Sequence, residues 1–391
     1  MLKFFKFFYY FLQWLQSWYY FFTLCNNSKR ATPTLFVDIT ELRKKDNATG
    51  VQRVTKCILS ELEKSQLQYE LCTIYAKPHG CGFFTTEENK PIRVSKNDFF
   101  FGLDLSCYLT VMNKKFLFKM KKIGMPIYFF IHDMIPIYFP QTVEKGMVNQ
   151  YPKWLNLISN FTGIVGNSKS TIEDYKNWLK TNKPDALKIQ KFYYSHLGSS
   201  FTHNTNLNKN SKKQNTVNPI NFLMVSTVEP RKNYKQAINA FTLLWNNNID
   251  AKLHIVGKVG WNVEETVNLI NNNPYLNKKL FWHNSGISDK ALSELYKESD
   301  CVISTSLAEG FGLFLVEAAS YEKHLLIRDI PIFREIAGEN ATYFKTDSAE
   351  EFSSVITTWI ENYKNGNIPL PKIQFISWNE CTNKIIKDLS L

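Results

Sequence analysis

The chain has 391 residues, enough for two domains that each bury a core. At 44% hydrophobic and 21% charged residues it is ordinary globular material, and its net charge of +12 calls for an anionic partner. No zinc-finger or RNA-binding signature accompanies that charge, so nucleic acid ranks last. Seven scattered cysteines without a CxxC pair exclude a disulfide framework and fit a reducing cytosol.

Residues 1–24, MLKFFKFFYYFLQWLQSWYYFFTL, are the compositional outlier within an aromatic segment, 1–30. Lysines and glutamines interrupt the run, so it falls short of a transmembrane span, and no small-x-small cleavage site follows it. On a helix, Lys3, Lys6, Gln13, Gln16 and Ser17 share a sector of roughly 140°, with Tyr9, Tyr10 and Tyr20 pointing into it. The expectation is a helix in an anionic membrane interface, its polar sector at the headgroups. Burial against the protein's own core is the rival reading.

Leu35–Thr40 reads as a first strand and Asn47–Gly50 as the turn into a helix, Val51–Lys64, which is how a doubly wound sheet opens. Asp98–Leu105 and Pro126–Ile131 are further buried strands, and His132 follows the second at the edge where open α/β sheets place ligands. The basic helix Asn113–Lys122 reads as a solvated face in preference to a membrane contact. Ile164–Gly166 is a strand, Ser170-x-x-Glu173 a capping box for Thr171–Leu179, and Phe192–His196 another strand. Thr202–Pro219, almost free of apolar residues, is too polar to pack and reads as an inter-domain linker.

The alternation then repeats with strands at Asn221–Val225, Ala251–Val256, Leu280–His283, Asp300–Thr305 and Leu325–Arg328. Helices at Tyr234–Trp245, Val263–Asn271, Asp289–Lys297 and Phe314–Ser320 separate them. Arg231 and Lys232 lie in the loop after the first of these strands, where paired cations suit a pyrophosphate. In Asp300–Ser320, DCVISTSLAEGFGLFLVEAAS, strand, glycine-containing loop and helix amino end form an anion cradle framed by Glu309 and Glu317. By residue type alone this is equally a plain turn with two solvated glutamates.

Glu309-x7-Glu317, with Gly-Phe-Gly after the first glutamate, resembles the signature of family 4 retaining glycosyltransferases of GT-B fold. Thr227-Val-Glu-Pro-Arg-Lys-Asn233 is similar to that family's diphosphate-gripping loop, and Gly257–Trp261 and Gly286–Lys290 fall at comparable turns. Thr49–Arg53 and His132–Pro136 resemble the bacterial capsule and O-antigen polysaccharide branch. The resemblance implies two doubly wound Rossmann-like domains facing across a cleft: an acceptor domain at 31–201, the linker 202–219 and a nucleotide-sugar domain at 220–372. A helix at 373–391 would pack back on the first domain.

It also implies roles. Arg231, Lys232 and the N–H groups of Gly310, Phe311, Gly312 and Leu313 would hold the diphosphate, with Gly50, Gly286 and Ile287 also facing the donor. Many relatives carry an arginine where this chain has Ser226 or Thr227, so Arg231 would take its place. Glu317 would hold the ribose hydroxyls, and Glu309 and His132 the transferred sugar. No metal site is expected, because no Asp-x-Asp occurs in the sequence. No cofactor is expected either, the nucleotide-sugar being a substrate. The implied reaction is hexosyl transfer, with GDP-mannose as favoured donor, to a lipid-linked glycan on the cytoplasmic face of a bacterial membrane. A nucleotide-sugar epimerase of the same fold, or a non-catalytic membrane-attached subunit, are the rivals.

Overall fold

The computed structural model describes residues 15–25, 32–44, 49–199 and 219–391. The first part of the aromatic segment and nearly all of the polar linker fall outside the described residues.

The chain divides into two compact units. One comprises the described residues within Met1–Tyr138, Lys145–Leu197 and Trp378–Leu391, the other those within Phe139–Glu144 and Gly198–Ser377. Residues 139–144 and 198–199, which the sequence reading put in the first domain, therefore group with the second unit.

The first unit holds β1 (Thr34–Asp38), β2 (Glu70–Ala76), β3 (Phe83–Thr85), β4 (Phe99–Gly102), β5 (Ile127–Ile131), β6 (Gly163–Gly166) and β7 (Lys191–Tyr194). They form one sheet in the order β3-β2-β1-β4-β5-β6-β7, parallel except for β3, which runs antiparallel to β2. Strands β1, β4 and β5 are buried along their whole length, as apolar runs covered on both faces must be. Phe129 shows how tightly this core closes: a Cβ on Gly102 would lie 2.3 Å from the Phe129 ring. Helix Trp378–Leu389 belongs to this unit, where Ser195 Oγ donates to Cys381 O (3.2 Å) and Asn379 Nδ2 to Glu61 Oε2 (3.3 Å).

The second unit holds β8 (Gly198–Ser199), β9 (Ile220–Val225), β10 (Ala251–Val256), β11 (Leu280–His283), β12 (Cys301–Ser304), β13 (His324–Arg328), β14 (Thr342–Phe344) and β15 (Ile376–Ser377). Six of them make an all-parallel sheet in the order β11-β10-β9-β12-β13-β14, and β8 pairs with β15. In both large sheets the order reverses beside the first strand, between β1 and β4 and between β9 and β12. At such a switch point the loops leaving the carboxyl ends diverge and open a crevice, so these are the two places where ligand chemistry is expected.

Several local expectations shift. The helix after β6 is Lys169–Asn182 and its cap is Ser168, whose Oγ accepts from Thr171 N at 3.0 Å, not Ser170. Ser168 has the extended backbone a cap needs, and Ser170 is already inside the helix. The C-terminal helix begins at Trp378 because residues 376–377 are drawn into pairing with β8.

Residues 15–23 are helical, and Gln16 is exposed, but Ser17 and Tyr20 do not face outward as expected. Ser17 is buried, donating to Gly80 O (2.6 Å) and accepting from Lys115 Nζ (2.5 Å). Tyr20 and Phe21 pack on the core of the first unit and Leu24 belongs to it. Burial against the protein thus holds for this face. Periodicity shows that a helix has two faces, not which of them finds the protein. Among the described residues no helix is long and apolar enough to cross a membrane.

Candidate functional site

At the switch point of the second unit, the loops leaving β9 and β12 are joined by charge. After β9, Pro230–Lys232 makes one tight 3-10 turn and Asn233 takes a left-handed conformation (φ 49°), which turns the chain into helix Tyr234–Asn246. After β12, Thr305 Oγ1 donates to the carbonyls of Lys232 (2.8 Å) and Asn233 (3.0 Å), and Leu307 N donates to Arg231 O (2.8 Å). These bonds fix the backbone of one loop on the other before any side-chain charge is counted.

Glu309 is the centre of the side-chain cluster. Its Oε2 accepts from Arg231 Nη1 at 2.7 Å, and its Oε1 accepts from Lys232 Nζ. Arg231 also donates to Ala308 O (3.0 Å), and its Nε lies 3.0 Å from Glu229 Oε2. Burial alone would push the Glu309 carboxyl up. The Arg231 and Lys232 charges and their hydrogen bonds outweigh it and hold the group at about 2. Burial, and then the Arg231 charge, push Lys232 below the usual ammonium range, against the pull of Glu309 and Glu229. Glu229 is itself raised by burial, against the nearby cations. Two cations and two carboxylates, all largely buried, sit where an incoming diphosphate would compete with Glu309 for the same donors.

Helix Leu313–Ser320 follows directly. Its amino end is Gly312, at φ 91°, a conformation that favours glycine; a Cβ there would also lie 3.1 Å from the Phe333 ring. No side chain caps this end, so the N–H groups of its first turn point toward the loop that carries Glu309, Gly310 and Phe311. Glu317 lies on the second turn, is 3% exposed, and accepts a hydrogen bond from Tyr296 OH (2.7 Å). Tyr296 orients that carboxylate from helix Asp289–Glu298. At the end of β11, Gly286 is left-handed (φ 83°) with Lys258 beside it, and Ile287 packs on the core.

Two predicted residues belong to the first unit. His132, after β5, is 3% exposed, with Nε2 3.2 Å from Leu103 O. Only an N–H satisfies a carbonyl, so the proton is assigned to Nε2 and Nδ1 is left as an acceptor. Burial pushes the imidazole down to about 4, so it is neutral at physiological pH. Gly50 does not serve as the expected turn. It is the first residue of helix Gly50–Lys64, which Thr49 caps by accepting from Gln52 N (3.3 Å). A Cβ on Gly50 would meet nothing within 4 Å, so its surroundings do not require glycine.

The sequence singled out Arg231, Lys232 and Glu309 but not their direct pairing, and three supporting residues were not singled out at all. Glu229 was legible as the acid two positions before Arg231. Tyr296 had no local signal, being 21 positions from its partner. Arg328 pins the β12 loop through Thr305 O (3.1 Å) while holding Gln236 and Asp347, and from sequence it is only a charged strand end. In the first unit Asp38, at the end of β1, is raised to about 7 by burial. Its hydrogen bond from Thr40 opposes the rise and the nearby Asp104 adds to it. Among the described residues no group of three or more His, Cys, Asp or Glu stands where it would hold a metal ion.

The sequence profile of the family described as "Glycosyl transferases group 1" matches residues 207–368. A serotype-specific mannosyltransferase WbdA of Escherichia coli is 33% identical over 94% of this chain, and the chain spans 46% of that protein's length. The O-antigen chain mannosyltransferase RfbU of Salmonella typhimurium (strain LT2) is 24% identical over 58% of each chain. Among solved structures, Anabaena HepE in complex with UDP and glucose superposes with a TM-score of 0.63 at 14% identity, covering 92% of this chain and 99% of that one. The fold is therefore GT-B.

Proposed function

We propose that the chain is a retaining hexosyltransferase using a nucleotide-sugar, a reading supported by the match of residues 207–368 to the glycosyl transferases group 1 family. The observation that carries the reading is the buried Arg231–Lys232–Glu309 cluster at the switch point of the second sheet. The two cations receive the donor diphosphate, helped by the first N–H groups of the helix at Gly312–Leu313, and Glu317 holds the ribose hydroxyls. The diphosphate takes over the hydrogen bonds that Glu309 accepts in the free protein and releases its carboxylate to the sugar hydroxyls. His132 is assigned to the same sugar, through an Nδ1 that accepts a hydroxyl proton. The C1–O bond to phosphate breaks as the acceptor oxygen bonds to C1 on the same face, and the acceptor proton passes to the departing phosphate. No side-chain base is invoked.

Mannose from GDP-mannose is the donor we favour, from the resemblance to mannosyltransferases of O-antigen synthesis. A lipid-linked glycan on the cytoplasmic face of the membrane is the favoured acceptor. Purified protein is to be incubated with GDP-mannose, UDP-glucose, UDP-galactose and UDP-N-acetylglucosamine, and release of nucleoside diphosphate measured beside the Lys232→Ala variant. We expect one donor to be cleaved by the parent and at least a hundredfold more slowly by the variant. Conversion of the donor to its epimer without transfer, or equal turnover by the variant, would overturn the assignment.

A further inference from the structure

Residues 15–24 carry two apolar stripes, not one. Advancing ~100° per residue, Ser17, Tyr20, Phe21 and Leu24 centre about 160° away from Leu15, Trp18, Tyr19 and Phe22. The first set is the face that packs on the first unit. The second faces outward, with Leu15 43%, Tyr19 60% and Phe22 67% exposed and Trp18 stacked on Phe22 (5.5 Å). Clustered large apolar side chains on a soluble surface mark a contact that the surface is built to make.

The neighbouring element says what that contact is. Helix Lys114–Lys122, KKFLFKMKK, lies against residues 15–23 through Lys115, which hydrogen-bonds Ser17, through Lys119, which donates to Phe21 O, and through Phe116, whose ring meets Phe21 edge-on at 5.7 Å. Phe116, Leu117 and Met120 are its buried face. Lys114, Phe118, Lys121 and Lys122 are exposed and, at i, i+4, i+7 and i+8, share one face. No Asp or Glu occurs in residues 1–37 or 105–132. The two adjoining helices thus present aromatic rings and lysines and contribute no acidic residue of their own. A second copy of the same surface would set lysine against lysine, whereas an anionic lipid surface accepts both the rings and the charge.

We propose that the outward faces of residues 15–22 and of helix Lys114–Lys122 form one docking surface for an anionic bilayer, with the opposite face of the first helix as its protein anchor. This rests on, and deepens, the membrane clause of the proposed function: it names the surface, and it gives to the protein the Ser17 and Tyr20 side that was expected at the headgroups. It needs no conformational change, because the anchor bonds are already made.

The experiment uses the full chain and sedimentation with vesicles of phosphatidylglycerol and phosphatidylcholine in about equal parts, against vesicles of phosphatidylcholine alone. The parent should pellet with the anionic vesicles and release as salt rises from about 0.1 to about 0.5 M. Each surface lysine contributes about fivefold near such a membrane, so Lys114→Gln/Lys121→Gln/Lys122→Gln should bind roughly a hundredfold more weakly. Tyr19→Ser/Phe22→Ser should lose most binding with an unchanged melting temperature, whereas Phe21→Ala, on the anchor face, should lower it. Unchanged vesicle binding by both outward variants would overturn the proposal. So would a melting temperature lowered as much by Tyr19→Ser/Phe22→Ser as by Phe21→Ala, or a dimer in the analytical ultracentrifuge that the same substitutions dissolve, since each would mean that protein covers the stripe. Donor turnover with a water-soluble acceptor is read in parallel. If turnover is absent in every protein while vesicle binding follows the stripe, the surface stands and the enzymatic reading falls.

Discussion

If Glu309 occupies the cation pair that the donor diphosphate needs, then neutralising it should weaken the empty protein and strengthen nucleotide binding at once. Glu309→Gln keeps the shape and removes the charge. In the structure Arg231 and Lys232 each donate to this carboxylate, with Glu229 as the second anion of the cluster. Removing one partner of a buried pair costs about 3–5 kcal/mol, and the remaining amide oxygen and Glu229 reduce this to roughly 2–3. For a unit of this size that lowers the melting temperature by roughly 5–10 °C. A nucleoside diphosphate binding the variant no longer displaces a carboxylate. The hydrogen bonds to charged groups that it must replace are each worth about 1.5–3 kcal/mol, and recovery of a third to a half of both gives roughly 5–150-fold tighter binding. Turnover should still fall about a hundredfold, because the sugar loses its carboxylate in the transition state. Isothermal titration of parent and variant with GDP and with UDP, beside scanning calorimetry, reads all three signs. A variant that binds both nucleotides no more tightly than the parent, or melts at the same temperature, would refute the exchange of Glu309 for diphosphate.

Glu317→Ala should weaken binding of nucleoside diphosphate about tenfold or more while leaving inorganic pyrophosphate affinity unchanged, since the carboxylate is assigned to the ribose; equal loss for both ligands would remove that assignment. Activity should persist in excess EDTA, because two cations and backbone N–H groups do the electrostatic work on the diphosphate; loss with rescue by manganese or magnesium would contradict this. Asp38, held near 7 when folded and far lower when unfolded, keeps its proton more tightly in the native state. Its linkage therefore favours the fold at low pH and fades as pH rises through about 7, by at most about 1.4 kcal/mol per pH unit. Asp38→Asn should flatten the loss of stability between pH 5 and 8 seen in urea melts, and a parent whose stability does not change over that window would contradict the buried acid.

The sheets were legible where apolar runs are closed by turn residues: Ala251–Val256 and Leu280–His283 occur with the bounds expected of them. Buried parallel strands leave that mark because both faces are covered. Strands β2 and β3 left little, since β2 is half exposed at its start and β3 is only three residues paired antiparallel at an edge. At the site, the diphosphate loop and both glutamates were legible as motifs. The joining of Glu309 to Arg231 and Lys232 was not, because it depends on β9 and β12 being neighbours in the sheet. Ser17 shows the same limit on a helix. It was assigned to the headgroups as a polar residue, yet it is buried because Gly80 O and Lys115 satisfy its hydroxyl inside the protein. Sequence periodicity fixed its angular position, and tertiary hydrogen bonding decided its environment.

The central claim is transfer with retention at the second unit's donor site, and proton NMR of the product tests it most directly. The donor selected from the nucleotide-sugar panel, carrying an α-linked sugar, is mixed with enzyme and a soluble mannoside acceptor, and the anomeric signal of the new linkage is followed from the first turnovers. The account requires an α-linked product from the parent and almost none from Lys232→Ala. A β-linked product, or an α-linked one formed equally fast by the variant, would contradict it.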